Sequence, residues 1–381
     1  MPRMKIAVLA HIRHAIAEPF KGGMEAHCHA LCRGLRARGH EVTLFAAAGS
    51  DDPALVPTVA QPYESVLPFE LWHGTERLAA YQFEGFASAF DRVRAGSFDL
   101  VHNNSLFAPV IGWCADAGIP CVTSQHVPPF GAMRDAVAAN LGRPGVEVTV
   151  TSHHQVSLWP EVCRDRLRVV PNGVDTDLWR PQAAKPEDPV GDHLSWVGRI
   201  APNKGTAEAV RAASLARAAL RVFGPIEDAA YFAREVAPHL GEQIVYQGHL
   251  DSARLQQEIR TSRAALVTPR WDEPFGLVAA EALASGTPVV GFARGAIPEV
   301  VGDYGVLVPD GDVTALARAI QAVAKVDRSL CRERALARFS IPRMIAGYEN
   351  CYAAAIAACG TAGSPRAIRS SISAKALEAL A

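Results

Sequence analysis

Short runs rich in β-branched residues alternate with helical patterns almost from one end of this chain to the other, and the rhythm restarts once. That alternation is what parallel sheets covered by helices on both faces require, because each parallel strand must be reached by a crossover. Strands are predicted at Lys5–Ala10, Glu41–Ala47, Asp99–Asn103, Cys121–Gln125, Glu147–Ser152 and Leu167–Pro171. A helix from about Met24 to Arg38 lies between the first two and is stopped by Gly39. Arg180–Asp192 holds three prolines and no apolar periodicity, which marks a linker. Beyond it strands are predicted at His193–Gly198, Leu220–Gly224, Ile244–Gly248, Ala264–Thr268, Pro288–Phe292 and Gly305–Val308.

Two doubly wound α/β domains of similar size follow, with a single cleft between them at the carboxyl ends of the strands, where such sheets bind ligands. The expected division is 1–179 and 180–340. An amphipathic helix at about 341–360 packs back on the first domain, and 361–381 forms a Ser- and Ala-rich tail. The length of 381 residues agrees with two domains, and a hydrophobic content of 49% supplies two cores.

Charge narrows the function. Lys+Arg 38 against Asp+Glu 39 leaves a net charge of -1, which argues against nucleic acid as a partner, because phosphate-backbone binding needs a cationic surplus. The apolar run Ile6–Ala10 is too short for the core of a signal peptide, and no stretch approaches the ~20 apolar residues of a membrane span. A cytoplasmic protein with at most peripheral membrane contact is expected. His27, Cys28, His29 and Cys32 form the one metal-like cluster, but Cys28 and Cys32 share a helical stripe with Met24, Leu31 and Leu35. The two histidines point to either side of that stripe, so the cluster reads as core. Asp175-Thr-Asp177 and Asp310-Gly-Asp312 sit where turns and a helix cap are expected, and no metal is assigned to them.

The segment Arg270–Glu281 carries most of the chemistry. A strand ends near Thr268, a loop brings Glu273, and Gly276 opens a helix containing Glu281, so the amides of Gly276, Leu277 and Val278 offer an anion site in the cleft. Two carboxylates beside such a site suit a sugar ring at one end and a ribose diol at the other. Taken singly, each glutamate reads as an ordinary loop or helix acid, and what weighs against that is a second segment. That segment, Trp196–Gly205, adds Arg199 at a strand end and Lys204 at the start of the next helix, two cations for two phosphates. In the first domain Gly22-Gly23 opens a helix and lets backbone amides approach an anion.

Taken together, EPFGLVAAE (273–281) followed by SGTPVV, VGRIAPNKG (197–205), KGGMEAH (21–27) and VVPNGVDTDLW (169–179) resemble the family-4 retaining glycosyltransferases of the GT-B architecture over about residues 4–360. The resemblance implies that Arg199 and Lys204 bind the diphosphate of a nucleotide-sugar donor, Glu281 the ribose and Glu273 a sugar hydroxyl. It implies that Gly198 and the amides of Phe275, Gly276 and Leu277 also contact the donor, with Gly22 and Gly23 capping it from the opposite domain. His126 matches the family's cleft histidine, a donor-sugar contact; an uninvolved loop histidine is the competing reading. A UDP-sugar donor, a hydroxyl acceptor (saccharide, lipid or small metabolite), retention of configuration and no cofactor are likewise implied. The acceptor would be gripped by 50–94 and 127–143, where Tyr63, Phe69, Trp72, Tyr81, Phe83 and Phe130 either stack on it or serve the core.

A dehydrogenase would need G-x-G-x-x-G directly after a strand, which neither Ala10–Gly23 nor Gly198–Gly205 has. An epimerase or phosphorylase of the same architecture, and a sugar-nucleotide-binding protein without turnover, are the remaining alternatives. The sequence leaves the oligomeric state unread.

Overall fold

The structure is a computed structural model that describes residues 2–67, 71, 74–181 and 191–361. It contains two all-parallel sheets. The first has seven strands in the order β3-β2-β1-β4-β5-β6-β7: β1 (Lys5–Ala10), β2 (Glu41–Ala47), β3 (Leu55–Val59), β4 (Leu100–Asn104), β5 (Cys121–Gln125), β6 (Val146–Val150) and β7 (Arg168–Val169). The second has six in the order β10-β9-β8-β11-β12-β13: β8 (His193–Val197), β9 (Ala219–Phe223), β10 (Ile244–Tyr246), β11 (Ala264–Val267), β12 (Val289–Phe292) and β13 (Gly305–Val308). In each sheet the order reverses beside the first strand, between β1 and β4 and between β8 and β11. A crevice opens at such a switch point, because the loops on either side lead to opposite faces of the sheet.

The central strand β1 is apolar from Ile6 to Ala10 because both its faces are covered: these residues are fully buried, with one core on each side. The predicted first helix is present as Gly23–Ala37, and Gly39 follows it with φ +91°. Its buried stripe is Cys28, Leu31, Cys32 and Leu35, as the spacing requires. β3 is absent from the sequence reading and is a correction to it. It is an edge strand with Pro57 at its centre, which an edge tolerates because one side of its backbone pairs with nothing. The strand predicted at Leu167–Pro171 contracts to two residues at the other edge.

The helix Ile341–Thr361 returns to the first sheet and inserts Met344, Ile345, Tyr348, Tyr352 and Ala355 into its core. Burying each of the larger side chains contributes about 1.5–3 kcal/mol, which anchors the helix firmly. It is tied further by Tyr352 Oη at 2.7 Å from His102 Nδ1 and by Glu349, which accepts from Arg38 and lies 3.1 Å from His40 Nε2. Most of the linker segment (182–190) and the tail (362–381) fall outside the described residues. Among the described residues no helix is long and apolar enough to cross a membrane.

Candidate active site

The loops at the carboxyl ends of the strands line one cleft between the sheets, and the residues expected to bind the donor or take part in catalysis all line it. Gly22, Gly23 and His126 come from the first domain; Gly198, Arg199, Lys204, Glu273, Phe275, Gly276, Leu277 and Glu281 come from the second.

Gly276 adopts φ +88° and caps the helix Leu277–Ala284; the amides of Ala279 and Ala280 turn back to Gly276 O, and those of Leu277 and Val278, which line the cleft, have no acceptor within the helix. Directly opposite, Gly22 is the extended N-cap of the helix Gly23–Ala37. A Cβ at Gly23 would lie 3.6 Å from Leu277 Cδ2, and one at Gly22 4.0 Å from Arg199 Nε. Two helix N-termini and a guanidinium therefore meet across the cleft, with the backbone at Gly22 and Gly23 close to Arg199 and Leu277. Phe275 turns its ring inward, edge-on to Phe339, and leaves only its backbone for the cleft.

Lys204 closes a 3-10 turn, Pro202–Lys204, rather than starting the helix, which begins at Thr206. Its ammonium lies 2.8 Å from Glu273 Oε2 and 4.5 Å from the centre of the Trp271 ring, and Trp271 Nε1 donates to the same carboxylate oxygen at 2.8 Å. The backbone of Glu273 is fixed from behind, where its carbonyl accepts from Ala296. Thr151 and Ser152 of the first domain both donate to the carbonyl of Pro274, at 2.9 and 2.7 Å, so this loop is braced across the domain gap.

Burial, with Glu18 as a second cause, pushes the carboxyl of Glu281 up to about 8. His126 is buried and, among the described residues, makes no hydrogen bond of good geometry through either ring nitrogen, and its ring centre is 4.1 Å from that of His27. Burial, with His11 adding to it, lowers its pKa to about 3, so it is a neutral imidazole that can offer a hydrogen bond but no charge. On the same wall His11 lies 3.3 Å from Glu25. Burial opposes ionisation of Glu25, but His11 outweighs it and holds the carboxyl below the usual range.

Three groups have no assigned role in the sequence reading. Arg13 and Glu227 join Arg199 in a chain of charges that crosses the cleft, and Trp271 orients Glu273. The first two are joined only in the fold, being 214 positions apart. Trp271 stands two residues before Glu273, a separation at which a loop can fold its side chain back, and that spacing was the available signal.

The two Asp-x-Asp triplets are consumed locally. Asp175 accepts from the amides of Asp177 and Leu178, Asp310 binds Arg270 and Arg294, and Asp312 caps the helix Val313–Ala322. Among the suggested acceptor aromatics Tyr63 lines the cleft. Tyr81 and Phe83 pack at the margin of the first-domain core, Phe130 is exposed, and Phe69 and Trp72 lie outside the described residues.

Two parallel-sheet domains of Rossmann type that face each other across a cleft built to hold an anion are the GT-B architecture of glycosyltransferases. Residues 21–178 match Glycosyltransferase Family 4 and residues 191–325 match Glycosyl transferases group 1. The chain is 30% identical to the D-inositol 3-phosphate glycosyltransferase of Thermomonospora curvata, over 82% of this chain and 85% of that protein. A sucrose-phosphate synthase from Thermosynechococcus elongatus has the same fold, with a TM-score of 0.76 and 24% identity over 93% of this chain and 100% of that one. So does Anabaena HepE, solved in complex with UDP and glucose, with a TM-score of 0.71 and 18% identity over 92% of this chain and 100% of that one. The chain belongs to glycosyltransferase family 4, and it is a glycosyltransferase.

Proposed function

We propose that the protein is a retaining hexosyltransferase that moves a sugar from a UDP-sugar to a hydroxyl of a saccharide, lipid or small metabolite. The observation that carries this reading is the convergence of Arg199, Lys204 and the open amides at Leu277 opposite Gly22 and Gly23. The first domain, about 1–179 and completed by the last helix, would hold the acceptor, and the second, about 180–340, the donor.

Chemically, a nucleoside diphosphate is already a good leaving group, and what the site must supply is stabilisation of the charge that develops on it. Arg199 and Lys204 meet its phosphates, and the amides at Phe275, Gly276 and Leu277, with Gly198, complete the cradle. Glu273 accepts from a hydroxyl of the transferred sugar: Lys204 and Trp271 occupy its Oε2 and leave Oε1 for that purpose. Glu281, protonated near neutrality, both donates to and accepts from a ribose diol. His126 offers the sugar a neutral hydrogen bond. The UDP-sugar reading gains support from HepE, whose structure holds UDP and glucose, and retention rests on the family resemblance.

A thermal-shift screen of UDP-, GDP-, ADP- and TDP-sugars tests the reading. A ligand at 100 times its dissociation constant adds about 2.7 kcal/mol of stability, so a UDP-sugar raises the melting temperature and Arg199→Ala and Lys204→Ala abolish the rise. Variants that respond like the parent would refute the phosphate assignment. Proton NMR of the product of turnover gives its anomeric configuration, and an inverted product excludes retention.

A further inference from the structure

Arg199 does not stand alone in the cleft. Its Nη1 donates to both carboxylate oxygens of Glu227, at 2.6 Å to Oε2 and closer still to Oε1. Glu227 Oε1 also accepts from Arg13 Nη2 at 2.8 Å, and Arg13 Nε donates to Glu64 at 2.9 Å. The four side chains form an alternating row, Arg199–Glu227–Arg13–Glu64, that starts beside the helix Leu277–Ala284 and ends on the opposite domain. Burial works against the ionised form of Glu227, but Arg199 and Arg13 outweigh it and hold the carboxyl below its usual range.

The pairing is set by the backbone and not by chance rotamers. Ile200 N–H donates to Pro225 O, and the amides of Glu227 and Asp228 both donate to Ile200 O, so the strand ends that carry Arg199 and Glu227 are locked side by side. Glu227 uses only Nη1. Among the described residues Nε and Nη2 of Arg199 have no hydrogen-bond partner, and those two atoms form the edge of a guanidinium that binds phosphate in bidentate fashion. That edge faces Gly22, whose Cβ, if it had one, would be 4.0 Å from Nε. Arg199 lines the cleft and Glu227 is not among the residues that do.

We propose that Glu227 is a positioning residue for the donor diphosphate. It holds one edge of Arg199 so that the other is presented across the cleft to Gly22, and Arg13 steadies it from the opposite domain. This rests on the reading of Arg199 as a phosphate ligand. A carboxylate so near a diphosphate also repels it, so loss of the charge should not weaken donor binding even as it disorders the guanidinium. A preorganised donor group matters most where charge develops, in the transition state.

Steady-state kinetics with the donor found in the screen test the proposal on Glu227→Gln, Arg13→Gln, the double variant and Arg199→Ala. In Glu227→Gln kcat, counted per folded molecule from the melting curve, falls about tenfold or more while donor KM stays within about threefold of the parent, the split expected when an interaction made in the transition state is lost. Arg13→Gln lowers kcat in the same direction. Relative to the parent, the double variant loses less than the product of the two single effects, because both act through Arg199. A rise in kcat/KM in Glu227→Gln would make Glu227 a competitor of the donor and overturn the proposal; unchanged kcat, or strictly multiplicative effects, would also overturn it. If Glu227→Gln does not fold, as judged by its melting curve, the kcat of Arg13→Gln decides alone, an unchanged value counting against the proposal. Arg199→Ala with parental turnover would instead remove the phosphate reading itself, a failure that the other variants cannot imitate.

Discussion

Glu281 lies one turn inside the helix Leu277–Ala284, and its carboxyl is held at about 8 by burial and by Glu18, against an ordinary value of 4.5. The folded value is above the unfolded one, so the fold favours the protonated form. The stability this gives is complete below about 4.5 and is lost as the pH rises through 8. Glu281→Gln removes that dependence. Its melting temperature should match the parent near pH 5 and exceed it increasingly towards pH 9; parallel curves would show that Glu281 ionises freely in the fold. The same burial explains why a second acid is tolerated beside an anion site, since near neutrality Glu281 adds little charge. Glu273 solves the problem differently, by sharing one oxygen between an ammonium and an indole N–H.

At the scale of elements, the junction between β8 and the helix Thr206–Ala216 decides where Lys204 stands. Gly205 has φ +72°, and a Cβ there would lie 1.8 Å from the carbonyl oxygen of Thr268 at the end of β11. Two cleft loops are in direct backbone contact at this point, and Thr268 also accepts from Trp196 Nε1 and donates to Gly205 O. Gly205→Ala therefore combines left-handed strain with a clash that no rotamer relieves, at a cost of about 1–3 kcal/mol or more. The variant should melt lower and lose activity through misplaced Lys204; an unchanged melting curve would contradict the contact. Much of this was legible beforehand, because strand ends, Gly276 as a helix start and the Asp312 cap are written in local patterns. β3 was not, since Pro57 reads as a breaker until its place at the edge is known. Arg13 and Glu227 were not legible either, because nothing local says that residues so far apart share a carboxylate. The family motifs named the cations of the cleft but not what orients them.

The chain crosses between the two sheets near Val174 and returns near Ser340, and the two crossings are hydrogen-bonded to each other: Val174 N–H to Phe339 O at 2.6 Å and Ile341 N–H to Val174 O at 3.3 Å. This pair ties the two crossings together where the chain passes between the domains. Other contacts join the two domains away from these crossings, among them Arg13 to Glu227, Thr151 and Ser152 to Pro274, His249 to Phe20 O and Ser252 to Glu18. Gly173 makes the close approach possible, since a Cβ on it would lie 2.9 Å from Ile341 Cα and 3.1 Å from Met344 Cβ, both parts of a helix anchored in the first core. Gly173→Val must push the crossings apart or strain that helix, and overpacking of this kind costs about 1–3 kcal/mol. The residues proposed to hold the donor nucleotide in the second domain are untouched by the change, whereas the groups contributed from the first move with the crossings. The variant should therefore bind UDP by calorimetry with an affinity near that of the parent, melt several degrees lower and turn over more slowly. Parental turnover at a lowered melting temperature would mean that the approach at Gly173 serves stability alone and that the angle of the cleft is set by the contacts across its mouth.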